Sequence, residues 1–150
     1  MTVLDGDSCV VEAGGVEVGI AGTTGFFGGF PDAPLADLGE EAQDRARDRA
    51  RTHAEALGAG LARVAGCAVR IALLHYAPTT STLAGEPPEL WGRLGAEALA
   101  APIRMHRPDL VVHAHAHAGT FRGAIDSTPV FNVSWAVLGR ELCRLDFIVR

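Results

Sequence analysis

The chain has 150 residues, 48% of them apolar and 21% charged, with a formal net charge of −5 at pH 7. That is the composition of an ordinary soluble globular protein, long enough for one domain with a hydrophobic core. No apolar run approaches the roughly 18 residues of a membrane span, and the net acidity gives no indication of nucleic-acid binding.

The N-terminus shows no basic segment followed by an apolar one, so the expected location is the cytoplasm. All 13 basic residues are Arg, which, beside the many Ala and Gly, reads as GC-rich coding bias. Cys9, Cys67 and Cys143 are isolated and odd in number. They read as buried free thiols, not as a disulfide framework.

The first apolar runs flank Gly14-Gly15, a hairpin signal, and predict strands over Cys9–Ala13 and Val16–Ala21. "GTTGFFGGFPDAP" follows as a loop by its Gly and Pro content. It lacks the endings of the phosphate-binding glycine loops, so Phe26, Phe27 and Phe30 are expected to anchor it or to line a pocket.

Ala42, Ala46, Ala50, Ala54, Leu57, Leu61 and Val64 recur at steps of three or four and predict one helix over Leu38–Val64. Asp37 is placed to cap it. Glu41–Arg45, Asp44–Arg47 and Asp48–Arg51 suit a solvated face. His53 borders the apolar stripe as a packing residue.

"AVRIALL" predicts a buried strand over Ala68–Leu74 that ends at His75. A Pro- and Thr-rich loop follows, then a second helix over roughly Leu94–Met105, closed by Pro108, with His106 near its C-terminus. "DLVV" predicts another short strand ending at His113, and "GTFRGAI", "TPVFNVSWA" and "CRLDFIVR" predict further strands. The order is a mixed α/β layout without repeat or linker, read as a single domain over residues 1–150.

Two buried strands thus end in histidine, and half of the six histidines lie in "HAHAH" at 113–117. In open α/β sheets ligands gather beyond the carboxyl ends of the strands, so His75 and the 113–117 cluster can meet there. In an extended segment, alternate residues share a face, so His113, His115 and His117 are expected to point the same way. Neutral imidazole ligates Zn, Fe, Mn or Ni. Spacing alone leaves both metal binding and a solvated His-Ala face open. The acids near these loops, Asp32, Glu86, Glu89 and Asp126, hold no compelling position for a bridging carboxylate.

"LLHYAPT" (73–79) followed by "RPDLVVHAHAHAG" (107–119) resembles the calcineurin-like metallophosphoesterases, which carry one His after one strand and Gly-His-x-His after the next. The matches are His75 and His115-Ala116-His117, with Ala114 where the family has Gly. "VLDGDSCVVEAGGVEVGIAGTTGFFGGF", "STLAGEPPELWGRLG" and "TPVFNVS" are also similar to that family, so the resemblance spans nearly the whole chain.

The resemblance implies part of a layered α/β/β/α sandwich with a mixed sheet and flanking helices. It implies metal-dependent hydrolysis of phosphomonoesters or phosphodiesters by a metal-activated hydroxide. It further implies two divalent ions (Mn, Fe or Zn), with His75 and His115 on the second and His117 on the first. The family's Asp-x-His, bridging Asp and Asn-His-Asp are not found here, so no catalytic residue is assigned. The chain is expected to be the C-terminal portion of such a domain, needing its missing half, self-associating through uncovered apolar surface, or serving as a non-catalytic metal-binding or interaction module.

Overall fold

A computed structural model describes residues 2–139 and 143–146. Six strands form one mixed sheet: β1 (Asp7–Ala13), β2 (Val16–Thr23), β3 (Val69–Leu74), β4 (Leu110–His113), β5 (Arg122–Ile125) and β6 (Thr128–Asn132). Their spatial order is β1-β2-β3-β4-β6-β5. β2, β3, β4 and β6 run parallel, and antiparallel β1 and β5 close the two edges.

The hairpin joining β1 and β2 turns at Gly14 and Gly15, with φ of +60° and +79°. Both lie in the left-handed region, as a two-residue hairpin requires. Helix α1 (Glu40–Arg63) crosses from β2 to β3, and α2 (Trp91–Leu94) and α3 (Ala100–His106) lie between β3 and β4. A short turn, α4 (Trp135–Leu138), follows β6.

The pairing register decides which side chains share a face. Gly19, Ala21 and Thr23 of β2 align with Ala72 and Leu74 of β3, Val111 and His113 of β4, and Val130 and Asn132 of β6. All of these are buried. Leu57 and Leu61 of α1 and Ile103 of α3 pack on them, each such side chain contributing about 1.5–3 kcal/mol on leaving water.

The opposite face has no helix against it among the described residues. Val18, Ile20, Ile71 and Val112 are half-exposed there, and Val11 and Leu73 are 44% and 43% exposed. At the β5 side, the segment 143–146 shares a cavity of about 360 Å³ with Leu110, Pro129 and Phe131 of this face.

Several expectations are corrected. Asp37 does not cap α1; it pairs with Arg93, whose hydrogen bond holds the Asp37 carboxyl below its ordinary range. The helix begins at Glu40 after an extended Gly39, without a side-chain cap, and with Glu40 and Glu41 in its first turn, where the helix dipole favours them. The three expected charge pairs on its outer face do form.

The second helix is broken instead of running from Leu94 to Met105. Gly95 is fully extended, and a Cβ there would lie 2.1 Å from the Ala77 carbonyl oxygen. The Ala77 and Ala96 amides bond across this approach, at 3.0 and 3.1 Å to Leu94 and Ala77 carbonyls. A glycine that must pass so close to another backbone ends the helix.

α3 closes with left-handed Arg107 ahead of Pro108, and the Arg70 guanidinium donates to the carbonyls of His106 and Arg107 at 2.9 and 2.8 Å. The strand expected over "TPVFNVSWA" stops at Asn132, because Asn132 Oδ1 accepts the Ser134 amide at 3.1 Å and turns the chain into α4. Cys143–Asp146 has no regular structure, and the rest of "CRLDFIVR" lies outside the described residues. The three cysteines are free thiols and half-buried, not fully buried. No described helix is long and apolar enough to cross a membrane.

Candidate metal centre

The parallel strands all end on one edge, and two adjacent ends carry the histidines. The amides of His75 and Tyr76 both donate to the Thr24 carbonyl at 3.2 Å, tying the exit of β3 to that of β2. The Ala114 amide donates to the His75 carbonyl at 3.2 Å, tying β3 to β4. These bonds bring the rings of His75 and His115 to 4.8 Å between centroids.

Two imidazoles sharing one cation, each nitrogen about 2.0–2.1 Å from it, hold their ring centres about 4.5–5.2 Å apart. The 4.8 Å separation lies within that range, which is also a distance of ordinary aromatic ring packing. Tyr76 packs on the pair, its ring 4.6 Å from His115 and 5.5 Å from His75. Burial lowers the His115 pKa, helped by the charges of His75 and His117 and opposed by Glu86. A neutral, ligand-ready ring is thereby favoured.

The three alternating histidines do not share a face. β4 ends at His113, and His115 has φ +66°. The Ala116 amide reaches back to the Ala114 carbonyl at 2.8 Å, closing a three-residue γ-turn with a left-handed centre, a rare and strained form. The extended alternation is lost there. Ala114, just before His115, is not among the residues of positive φ.

His113 turns into the helix-side core and is fully buried. Its Nδ1 lies 2.8 Å from the Ala114 carbonyl and its Nε2 2.8 Å from Thr82 Oγ1. A carbonyl only accepts, so Nδ1 carries the proton and Thr82 donates to Nε2. Burial pushes its pKa down to about 4.

His117 is exposed. It lies near enough to bias His115, but among the described residues no three His, Cys, Asp or Glu side chains gather to hold an ion. The structure thus brings His75 and His115 together and leaves His117 outside the pair.

Glu86, judged poorly placed on sequence, stands on the same edge: its Oε1 accepts the Ala118 amide at 2.7 Å. Tyr76, Thr82 and Asn132 were not singled out by sequence. Tyr76 was signalled only by its place beside His75, and Asn132 by a polar residue ending an apolar strand. Thr82 carried no signal. Phe26 and Phe27 stack at 4.4 Å and reach Tyr76 at 5.9 and 6.4 Å, with Arg49 over Phe26, while Phe30 is a core residue. They both anchor the loop and line the groove beside α1. His53 is a boundary residue, its Nδ1 2.9 Å from Thr23 Oγ1.

Comparison with protein-family models, curated proteins and solved structures gave no match to this chain.

Proposed function

We propose that the chain carries one half of a metal-dependent phosphoesterase centre of the calcineurin-like type. His75 and His115 hold one divalent ion (Mn, Fe or Zn), and His117 serves a second. The observation that supports this most is the facing pair His75–His115 at the ends of adjacent parallel strands, 4.8 Å apart, with one ring on a strained backbone. Strain of this kind persists where the surroundings enforce it, commonly at ligand sites.

A bound ion supplies Lewis acidity and an activated water for cleavage of a P–O ester bond. The chain's residues hold and orient: His115 is kept neutral, and Tyr76 covers one side of the pair. The remaining donors and the general acid come from outside the described residues, and the half-exposed sheet face suits a second layer of an α/β/β/α sandwich, supplied by a missing segment or by a second copy.

A second reading is a non-catalytic metal-binding or interaction module. In it the facing imidazoles of His75 and His115 take an ion without phosphoester chemistry.

Calorimetry with Zn²⁺ and Mn²⁺, followed by hydrolysis of an aryl phosphodiester, tests both. Binding that is lost in His75→Ala and His115→Ala, with turnover, supports the phosphoesterase. Binding without turnover is expected of the isolated half-centre and of the module alike, and excludes only phosphoester cleavage by this chain alone. A melting temperature unmoved by saturating metal overturns both, because a ligand of the native state must stabilise it.

A further inference from the structure

Three residues other than Gly adopt a positive φ among the described residues: Arg107, His115 and Asp126. Arg107 caps the C-terminus of α3 and Asp126 sits in the tight turn between β5 and β6, where left-handed residues are common. His115 has neither duty, and its ring is the one that faces His75. Something must hold it there.

Buried side chains grip the carbonyl of the residue on each side of His115. Upstream, the Ala114 carbonyl accepts both the Ala116 amide and the His113 Nδ1–H, each at 2.8 Å. His113 is in turn fixed by the Thr82 hydroxyl at 2.8 Å. Downstream, the Ala116 carbonyl accepts Asn132 Nδ2 at 2.7 Å and Ser134 Oγ at 3.0 Å. Thr82, His113 and Asn132 are fully buried and Ser134 nearly so. They come from the 3₁₀ turn Thr80–Thr82, β4, β6 and the start of α4.

Three buried polar side chains therefore hold the carbonyls of the two residues beside His115, and a fourth, Thr82, fixes one of the three. A polar network in a dry core needs every member satisfied, and no described buried side-chain nitrogen or oxygen lacks a partner. An apolar core would serve stability as well. What the polar set adds is a fixed direction for the carbonyls on either side of His115.

We infer that Thr82, His113, Asn132 and Ser134 form a positioning clamp that holds His115 in its left-handed turn and so aims its imidazole at His75. This rests on the reading of His75 and His115 as a metal-binding pair. None of the four is itself a ligand or a catalytic residue. His113, Asn132 and Ser134 act on the carbonyls of Ala114 and Ala116, and Thr82 acts through His113.

The test pairs Thr82→Val, which keeps shape and removes the donor, with Thr82→Ser, which keeps the hydroxyl. Two readouts are taken on folded protein: the through-space proton contact between the rings of His75 and His115 by NMR without metal, and the Zn²⁺ dissociation constant. Thr82→Val should lose the ring contact and bind Zn²⁺ about 10-fold or more weakly, the usual range for residues that orient a ligand. Thr82→Ser should keep both.

If Thr82→Val does not fold, Ser134→Ala removes one of two donors to Ala116. It should weaken both readouts in the same direction and to a smaller extent, because Asn132 still donates to that carbonyl. An unchanged ring contact in a folded Thr82→Val or Ser134→Ala overturns the clamp. If the wild-type protein binds no Zn²⁺ yet the ring contact responds as described, the metal reading fails and the clamp stands.

Discussion

Replacing His115 by Gly and, separately, by Ala asks whether its backbone is left-handed in solution. Both substitutions remove the same ring and its packing on Tyr76 and His75, 4.6 and 4.8 Å away, so their difference isolates the backbone. At an ordinary position Gly is less stable than Ala by about 0.4–1 kcal/mol, through the freedom it gains when unfolded. At φ +66° Ala carries a steric cost of about 1–2 kcal/mol that Gly escapes. The two terms oppose, and the steric one is larger.

His115→Gly should therefore be more stable than His115→Ala by about 1 kcal/mol, or roughly 2–4 °C in melting temperature for a chain of this size. The assay is thermal and urea unfolding by circular dichroism in chelator. An Ala variant more stable than the Gly variant would refute the reasoning, because the turn would then not be left-handed. Zn²⁺ affinity should fall equally in both, since each lacks the imidazole.

Other outcomes are expected. Asn132→Ala should cost about 1–3 kcal/mol in urea unfolding, because the Ala116 carbonyl loses its shorter donor in a buried site. Gly95→Ala should destabilise by about 1–3 kcal/mol or more, since its Cβ meets the Ala77 carbonyl; a thermal scan within 1 °C of wild type (about 0.3 kcal/mol) would contradict the close approach.

Stability should also fall in acid. His113 has a folded pKa of about 4, below the ordinary 6.5, so the unfolded state binds more protons between those values. Its contribution is complete above about pH 6.5 and is lost as pH falls through 4, on the order of 3 kcal/mol in all. His115 adds in the same direction, and His113→Gln should flatten this slope in urea titrations at stepped pH. Leu73→Lys, on the half-exposed sheet face, should reduce any concentration-dependent self-association seen by sedimentation; association unaltered by it would place the contact elsewhere.

The regular elements were legible where local pattern and tertiary demand agree. The Ala–Leu stripe of α1 is buried as its spacing requires, and Gly14-Gly15 turns the hairpin. Where a distant backbone intervenes, the pattern misleads. Gly95 sits inside a helical run, but the strand-like passage of Ala77 beside it decides its conformation, and no local signal announces Ala77. The HAHAH alternation reads as a shared face only if the chain stays extended. It does not, because Thr82, Asn132 and Ser134, 17 to 33 positions from His115, reward a turn instead. His75 and His115 were visible as strand-end histidines. The seclusion of His113 was not, since burial depends on which face of β4 meets α1 and α3.

The hairpin at Gly14 and Gly15 lies at the opposite end of β2 from Thr23, eight residues or about 25 Å along the strand. Both glycines are exposed and nothing approaches within 4 Å of where a Cβ would be. A fluorophore or surface tether attached there would leave the imidazole edge facing open solution. Anchored by that tip, the molecule presents its histidines outward, an orientation suited to surface-based measurement of cation capture.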